Sequence, residues 1–447
     1  MENKLNWLKS RLNLFAFLKI NYIKNDFTKW IIILIVVLMP FNVAKSLPSF
    51  ARQTQLSCTA CHTSFPELNS FGRQFKANGY TLTTASTIND QSGDTLKPRT
   101  RLNLLNNLPL SVMVQSSFSN VAKDVTGQQN NSGQFPQQLS LFFAGQITPH
   151  IGSFIQMTYA DGSFGMDNAD IRYANTTNFG SNSLLYGLSL NNNPTSQDLW
   201  NTSPAWRFPY ASSSSAPSPA KSTLIESLGG QVIGLGAYGL LNNLIFAEFS
   251  TYRNAQIGLQ ADSANAFAVK GFIPYWRLAL QHEWNKNYLE VGTYGIASSR
   301  YVSGISGALD KITDIGVDLQ YERTLPYGAF SLHSSYVAEN ENLADANYKF
   351  NSFKVDVNGF LKNGCGATIG YFNNTGSPDI VNFPNGYNKP NSSGFIFQLE
   401  YLPWYNTKFA TQYVAYQKFD GSSANYDGLG RNASNNNTIY LLAWLTF

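Results

Sequence analysis

The sequence predicts an all-β membrane protein: an outer-membrane barrel of about 16 strands, preceded by a small helical segment docked in or at its lumen. Three observations carry this. Only 13% of the 447 residues are charged, about half the ~25% usual in a soluble domain, yet beyond residue 45 no run approaches the ~18–20 apolar residues of a spanning helix. From about residue 108, stretches of about ten residues alternate in polarity, separated in turn by short turns and long polar loops, the pattern of an outer-membrane barrel. The last ten residues place Ile439, Leu441, Ala443, Leu445 and Phe447 on one face and end on an aromatic ring, which resembles the C-terminal strand signal of such barrels. The 24 Tyr and 31 Phe exclude disorder. No basic patch points to nucleic acid.

Residues 1–46 read as an export signal. A basic stretch ends at Lys29, the apolar run Trp30 to Met39 follows, Pro40 breaks it, and Ala44-Lys45-Ser46 supplies a small-x-small cleavage pattern. Cleavage is expected after Ser46, with Ala44 as the other option; a single membrane anchor is the competing reading. This segment also explains the formal charge of +4. Without its seven Lys/Arg and two acids, the 31 basic and 27 acidic residues become 24 and 25. The mature chain is close to neutral.

Residues 47–107 form the next unit. Cys58-Thr59-Ala60-Cys61-His62 has the C-x-x-C-H spacing of covalent haem c attachment, in which two thiols add to the haem vinyl groups and the adjacent imidazole binds the iron. Three readings compete: a redox disulfide lacks the thioredoxin-like context, zinc lacks further Cys or His nearby, and a structural disulfide across two intervening residues is possible but strained. One covalently bound haem c is therefore expected, with His62 as proximal ligand. Ser64 and Glu67 have capping-box spacing ahead of a helix that ends at Asn78-Gly79. Leu68, Phe71 and Phe75 share one face of that helix, which packs either on the porphyrin or on another surface. Arg73 and Lys76 lie off that face; Arg73 is either near a haem propionate or solvated. About sixty residues with one helix are marginal as a free-standing domain, so the segment is expected to dock into the larger unit.

Residues 108–447 are the barrel. Ser111, Met113, Gln115 and Ser117 alternate with Leu110, Val112 and Val114, and Phe409, Thr411, Tyr413 and Ala415 alternate with Lys408, Ala410, Gln412 and Val414. Short turns fall near 148–150, 178–181, 242–243, 285–287, 325–328, 362–364 and 403–406. Long loops fall near 120–136, 161–166, 191–230, 254–270, 300–310, 339–346, 375–391 and 419–437. These fifteen connections imply sixteen strands. Within the longest loop, the aromatic part Trp200 to Tyr210 is expected to fold inward, and the Ser/Pro part Ser212 to Pro219 to stay mobile.

Haem motif, barrel and terminal signal together resemble the fused cytochrome–porin proteins of the outer membrane in iron-oxidising bacteria. The match runs through Pro48 to Thr54, Cys58 to His62, Phe65 to Leu68 and Phe71 to Tyr80, with a further similar stretch from Asn193 to Pro209. The resemblance implies a single haem c in a barrel that takes electrons from extracellular Fe(II), or another redox donor, and passes them to a periplasmic electron-carrier cytochrome. In enzyme terms this is an Fe(II):cytochrome c oxidoreductase. A diffusion porin or importer with a haem-bearing plug, and outward electron transfer, are the alternatives.

Strand parity leaves two candidates for a sixth iron ligand, Met113 and His333, both expected in the lumen. His282 and Met157 face outward by parity, while His150 falls in a turn and Met166 in a short external loop. Cys365 shares a face with Ala367, Ile369 and Tyr371 and reads as lipid-facing. Glu339, Glu341 and Asp345 are expected in an external loop, either attracting Fe(II) through oxygen ligands or simply solvated.

Overall fold

The computed structural model describes residues 48–82, 108–125, 127, 130–160, 162–254, 268–380, 382–384 and 387–447. The signal at 1–46, its cleavage site and the 83–107 end of the haem segment lie outside the described residues. Among the described residues, three short helices precede the strands: α1 (Ser49–Thr54), α2 (Cys58–Cys61) and α3 (Ser70–Ala77). Strands β1 (Leu110–Val121), β2 (Ser132–Thr148), β3 (Ile151–Ala160), β4 (Ser163–Phe179) and β5 (Asn182–Asn191) precede the long loop, which carries α4 (Leu224–Ser227). After it come β6 (Val232–Leu241), β7 (Ile245–Asn254), β8 (Ile273–Trp284), β9 (Asn287–Tyr301), β10 (Leu309–Leu325) and β11 (Gly328–Asn342). The last five are β12 (Asn347–Leu361), β13 (Cys365–Gly376), β14 (Ser392–Trp404), β15 (Thr407–Lys418) and β16 (Thr438–Thr446).

All sixteen strands join one closed antiparallel barrel, each paired with its sequence neighbours. The seam runs from Met113↔Thr446 to Val121↔Thr438 between β1 and β16. Closure leaves no free edge, which a spanning sheet requires because lipid offers the backbone no hydrogen-bond partner. Parity then sorts the side chains. On β14, Leu399 is 66% exposed on the outer face while Glu400, next in sequence, is 7% exposed in the lumen. Leu235, Leu278, Leu280, Ile315, Val317 and Ile369 are exposed in the same way, whereas Glu248, Arg277, Glu290, Asp318 and His333 are buried inside. An apolar exterior around a polar, occupied interior is the arrangement of a bacterial outer-membrane barrel, lipid outside. His282 and Cys365 lie on the exposed face.

Three boundaries differ from expectation: the loop expected near 120–136 is shortened because β2 already begins at Ser132. The β3–β4 connection is only residues 161 and 162, so Met166 lies within β4, opposite Met157 on β3. Likewise β10 and β11 stay paired out to Lys311↔Asn342, which puts Glu339 and Glu341 in a strand. They are buried in the lumen because the long loop supplies partners there: the Leu224 backbone N–H for Glu339, and Lys221 for Glu341 at 2.7 Å. Asp345 alone of the three acids is an exposed loop residue.

Candidate functional site

The haem-motif segment lies inside the barrel, and polar contacts to the wall hold it there. Ser49 Oγ donates to the Ala144 carbonyl, and Gln53 Oε1 accepts from the Gln146 backbone N–H. Tyr80 Oη donates to Asp170 at 2.7 Å, and Tyr238 Oη donates to the Ala77 carbonyl. The Ala144, Gln146 and Tyr238 contacts lie near the short turns, which face the periplasm in this class of barrel. Glycine permits the closest approaches. A Cβ on Gly72 would collide with the Cys61 carbonyl, where α3 crosses α2, and one on Gly152 would collide with the Gly79 carbonyl.

Helix α3 begins later than the capping-box spacing suggests. Its N-cap is Asn69, whose Oδ1 accepts from the Gly72 N–H at 3.0 Å. Ser64 and Glu67 instead form a turn, because the wall claims their side chains: Ser64 donates to Glu400, and Glu67 accepts from Asn358 at 2.8 Å. Asn78 and Gly79 end the helix, with Gly79 at φ 69°.

The long loop enters from the opposite mouth. Asp198 and Trp200 reach the lower wall, where Trp200 Nε1 donates to Tyr288 at 2.6 Å. Arg277 binds Asp198 at 3.5 Å, pairs with Asp318 and Glu290, and lies 4.6 Å from the Trp200 ring centroid. The aromatic part therefore folds inward as expected. The Ser/Pro part makes contacts of its own to the wall. Ser213 donates to Ser119 at 2.6 Å, the Ser212 carbonyl accepts from Gln137, and the Pro217 carbonyl accepts from Tyr416.

Between segment and loop lies a cavity of about 460 Å³, within the ~300–1,000 Å³ range of small-molecule and cofactor sites. Cys58, Cys61 and His62 line it together with Leu68, Phe71 and Phe75; the barrel adds Met113, Phe142, Phe154 and Trp444, and the loop adds Trp206 and Tyr210. His62 Nδ1 lies 3.1 Å from the Pro66 carbonyl, so this nitrogen carries the proton and Nε2 is the free lone pair. Such a second contact orients a metal-binding imidazole. Burial pushes the His62 pKa down to about 4, keeping the ring neutral, and raises the Cys61 thiol to about 11. Two free thiols, a neutral imidazole with a fixed tautomer and a ring-lined cavity fit a covalent haem: Cys58 and Cys61 as thioether partners, His62 as iron ligand.

The remaining predicted residues separate. Phe71, 41% exposed into the cavity space, and Phe75, packed edge-on against Phe50 at 5.1 Å, are on the cavity face. Arg73 is turned away. Its guanidinium binds Glu322 at 2.8 Å and stacks 3.8 Å from the Tyr288 ring centroid, so its charge is spent on the barrel wall rather than beside the cavity. Met113 lines the cavity; His333 is buried in the lumen but away from it, with Nδ1 2.9 Å from Asp356 and Nε2 3.3 Å from Gln320. Lys76 was expected off the apolar face, and the structure puts it on the cavity wall. Its Nζ donates to the Asp198 carbonyl at 2.6 Å and lies 4.3 Å from the Trp206 ring, and burial lowers its pKa to about 7. Trp444 was legible only as a lumen-parity residue; it meets Phe65 at 5.1 Å, which in turn meets the His62 ring at 5.3 Å.

No protein-family model matches the sequence, and no characterised protein matches it in sequence. Among solved structures the chain is similar to OmpF of Salmonella typhi in complex with daunomycin, at 14% identity and a TM-score of 0.47, over 76% of this chain and 97% of that one. It is also similar to the outer-membrane channel DcaP of Acinetobacter baumannii, at 14% identity and a TM-score of 0.45, over 76% and 96% of the two chains. An anion-selective porin from Comamonas acidovorans gives 11% identity and a TM-score of 0.45, over 76% and 98%. These are likenesses of barrel architecture only.

Proposed function

We propose that this outer-membrane barrel is a c-type cytochrome–porin that moves electrons across the membrane, oxidising extracellular Fe(II) and passing the electrons to a periplasmic cytochrome. One observation carries the reading: the C-x-x-C-H motif lines a ring-walled cavity inside the lumen, with His62 Nε2 left free by the Nδ1 contact to Pro66. A haem bound there supplies one-electron chemistry. The protein's part is to shelter that group, orient His62 and shorten the gap that electrons cross through an insulating apolar layer ~25 Å tall. The resemblance noted in the sequence supplies the donor and the direction.

A diffusion porin with a haem-bearing plug is the second reading, and the sixteen-strand porin-like architecture supports it. Against it stands the lumen itself, which is occupied from both mouths by residues 48–82 and 192–230. Purified, oxidised protein mixed with Fe(II) is expected to show a reduced haem spectrum while liposomes bearing the protein stay impermeable to small solutes. Solute flux without haem reduction overturns the proposal in favour of the porin.

A further inference from the structure

We propose that the Met113 thioether, supplied by the barrel wall, is the second axial ligand of the haem. This rests on the haem reading above and adds the residue that completes the iron site. The chain has four His and five Met, the side chains that commonly complete c-type ligation. Met1 and Met39 precede the expected cleavage point, and the other undescribed positions contain neither type. Of the rest, Met157 and Met166 face each other on the outer side of β3 and β4. His282 stacks on Trp284 on the exposed face, and His150 Nδ1 is engaged by the Ala174 carbonyl in a turn. Both nitrogens of His333 contact Gln320 or Asp356, and His333 is not on the cavity wall. Met113 is left, on the wall of the same cavity as His62.

The other donors on that wall are weaker candidates. Tyr80 gives its hydroxyl proton to Asp170 and Lys76 gives one to the Asp198 carbonyl; burial also favours the neutral phenol at Tyr80 and Tyr210. Met113 is 2% exposed and fixed in β1 with Thr446 opposite on one side and Ser140 on the other. Gln115 Nε2 approaches its sulfur at 4.0 Å. A strand buttressed on both edges holds a ligand more exactly than a loop does. Ligation from β1 would also tie the docked segment to the barrel through the metal, and a thioether raises the haem potential relative to a second imidazole.

Ferric full-length protein in detergent tests this by spectroscopy. The expected wild-type spectrum is low-spin with the long-wavelength thioether-to-iron charge-transfer band. Met113→Leu should lose the band, turn high-spin and titrate at a lower potential. Met113→His should be low-spin without the band, also at a lower potential, and His333→Gln should match wild type. A high-spin wild-type spectrum, or an unchanged spectrum in Met113→Leu, overturns the assignment. If Met113→Leu does not assemble, the wild-type and Met113→His spectra decide. Haem content separates the two readings: no haem mass on the peptide containing residues 58–62 sinks both, whereas haem present with a band indifferent to Met113 sinks this one alone.

Discussion

Residues 48–82 and residues 192–230 meet in one lumen, but they are retained by different means. The first stretch is held by contacts spread around the wall, single hydrogen bonds from Ala144 and Asp170 to Asn358 and Glu400 and one ion pair, Arg73 with Glu322. At the inner end of the second the charges converge on one buried cation, Arg277, which gathers Asp198 of the loop with Asp318 and Glu290 of the wall, beside neutral contacts such as Trp200 to Tyr288. Distributed anchoring tolerates the loss of any one contact. A single hub does not, because removing it leaves several carboxylates desolvated at once.

Loss of the two motif thiols should disable the first region and spare the second. Replacing both Cys58 and Cys61 by Ala should abolish covalent haem, read by mass and haem stain, while the barrel keeps its heat-modifiable migration and the loop its resistance to protease. Arg277→Met should do the converse, destabilising the seated loop by about 3–5 kcal/mol, as for other broken buried ion pairs. The checks are new cleavage between 212 and 219 and new conductance in planar bilayers, with haem still attached. Gly72→Ala sharpens the picture of the segment. The added methyl forces α2 and α3 apart at a cost of about 1–3 kcal/mol, expected as reduced haem loading in a barrel that still assembles.

The smallest effect concerns pH. Lys76 has a pKa of about 7 in the fold against an ordinary 10.5, so between these values the unfolded chain binds more protons and stability rises with pH. The slope is at most about 1.4 kcal/mol per pH unit. Denaturant titrations at pH 7 and pH 10 should show this rise in wild type and its loss in Lys76→Met.

Much of this architecture is legible from local pattern. Turn and loop spacing yields all sixteen strands because each short turn carries its own backbone chemistry, as at Asn242 and Asn243, both at positive φ. Period two correctly turns Met113 inward and His282 outward. What parity does not encode is which lumen residues meet. Ser64 and Glu400 are 336 positions apart, and Arg73 and Glu322 are 249 apart; nothing near either partner in sequence announces the other. Lys76 is the clearest case. On an isolated amphipathic helix its place is the wet side, and only a second surface covering that side buries it.

The seam between β1 and β16 carries a last consequence. Met113 stands on the opening strand and Trp444 on the final one, and both form the same wall. The chamber therefore has no complete lining until β16 meets β1, and the segment it shelters is enclosed only when the staves of the cask are drawn shut.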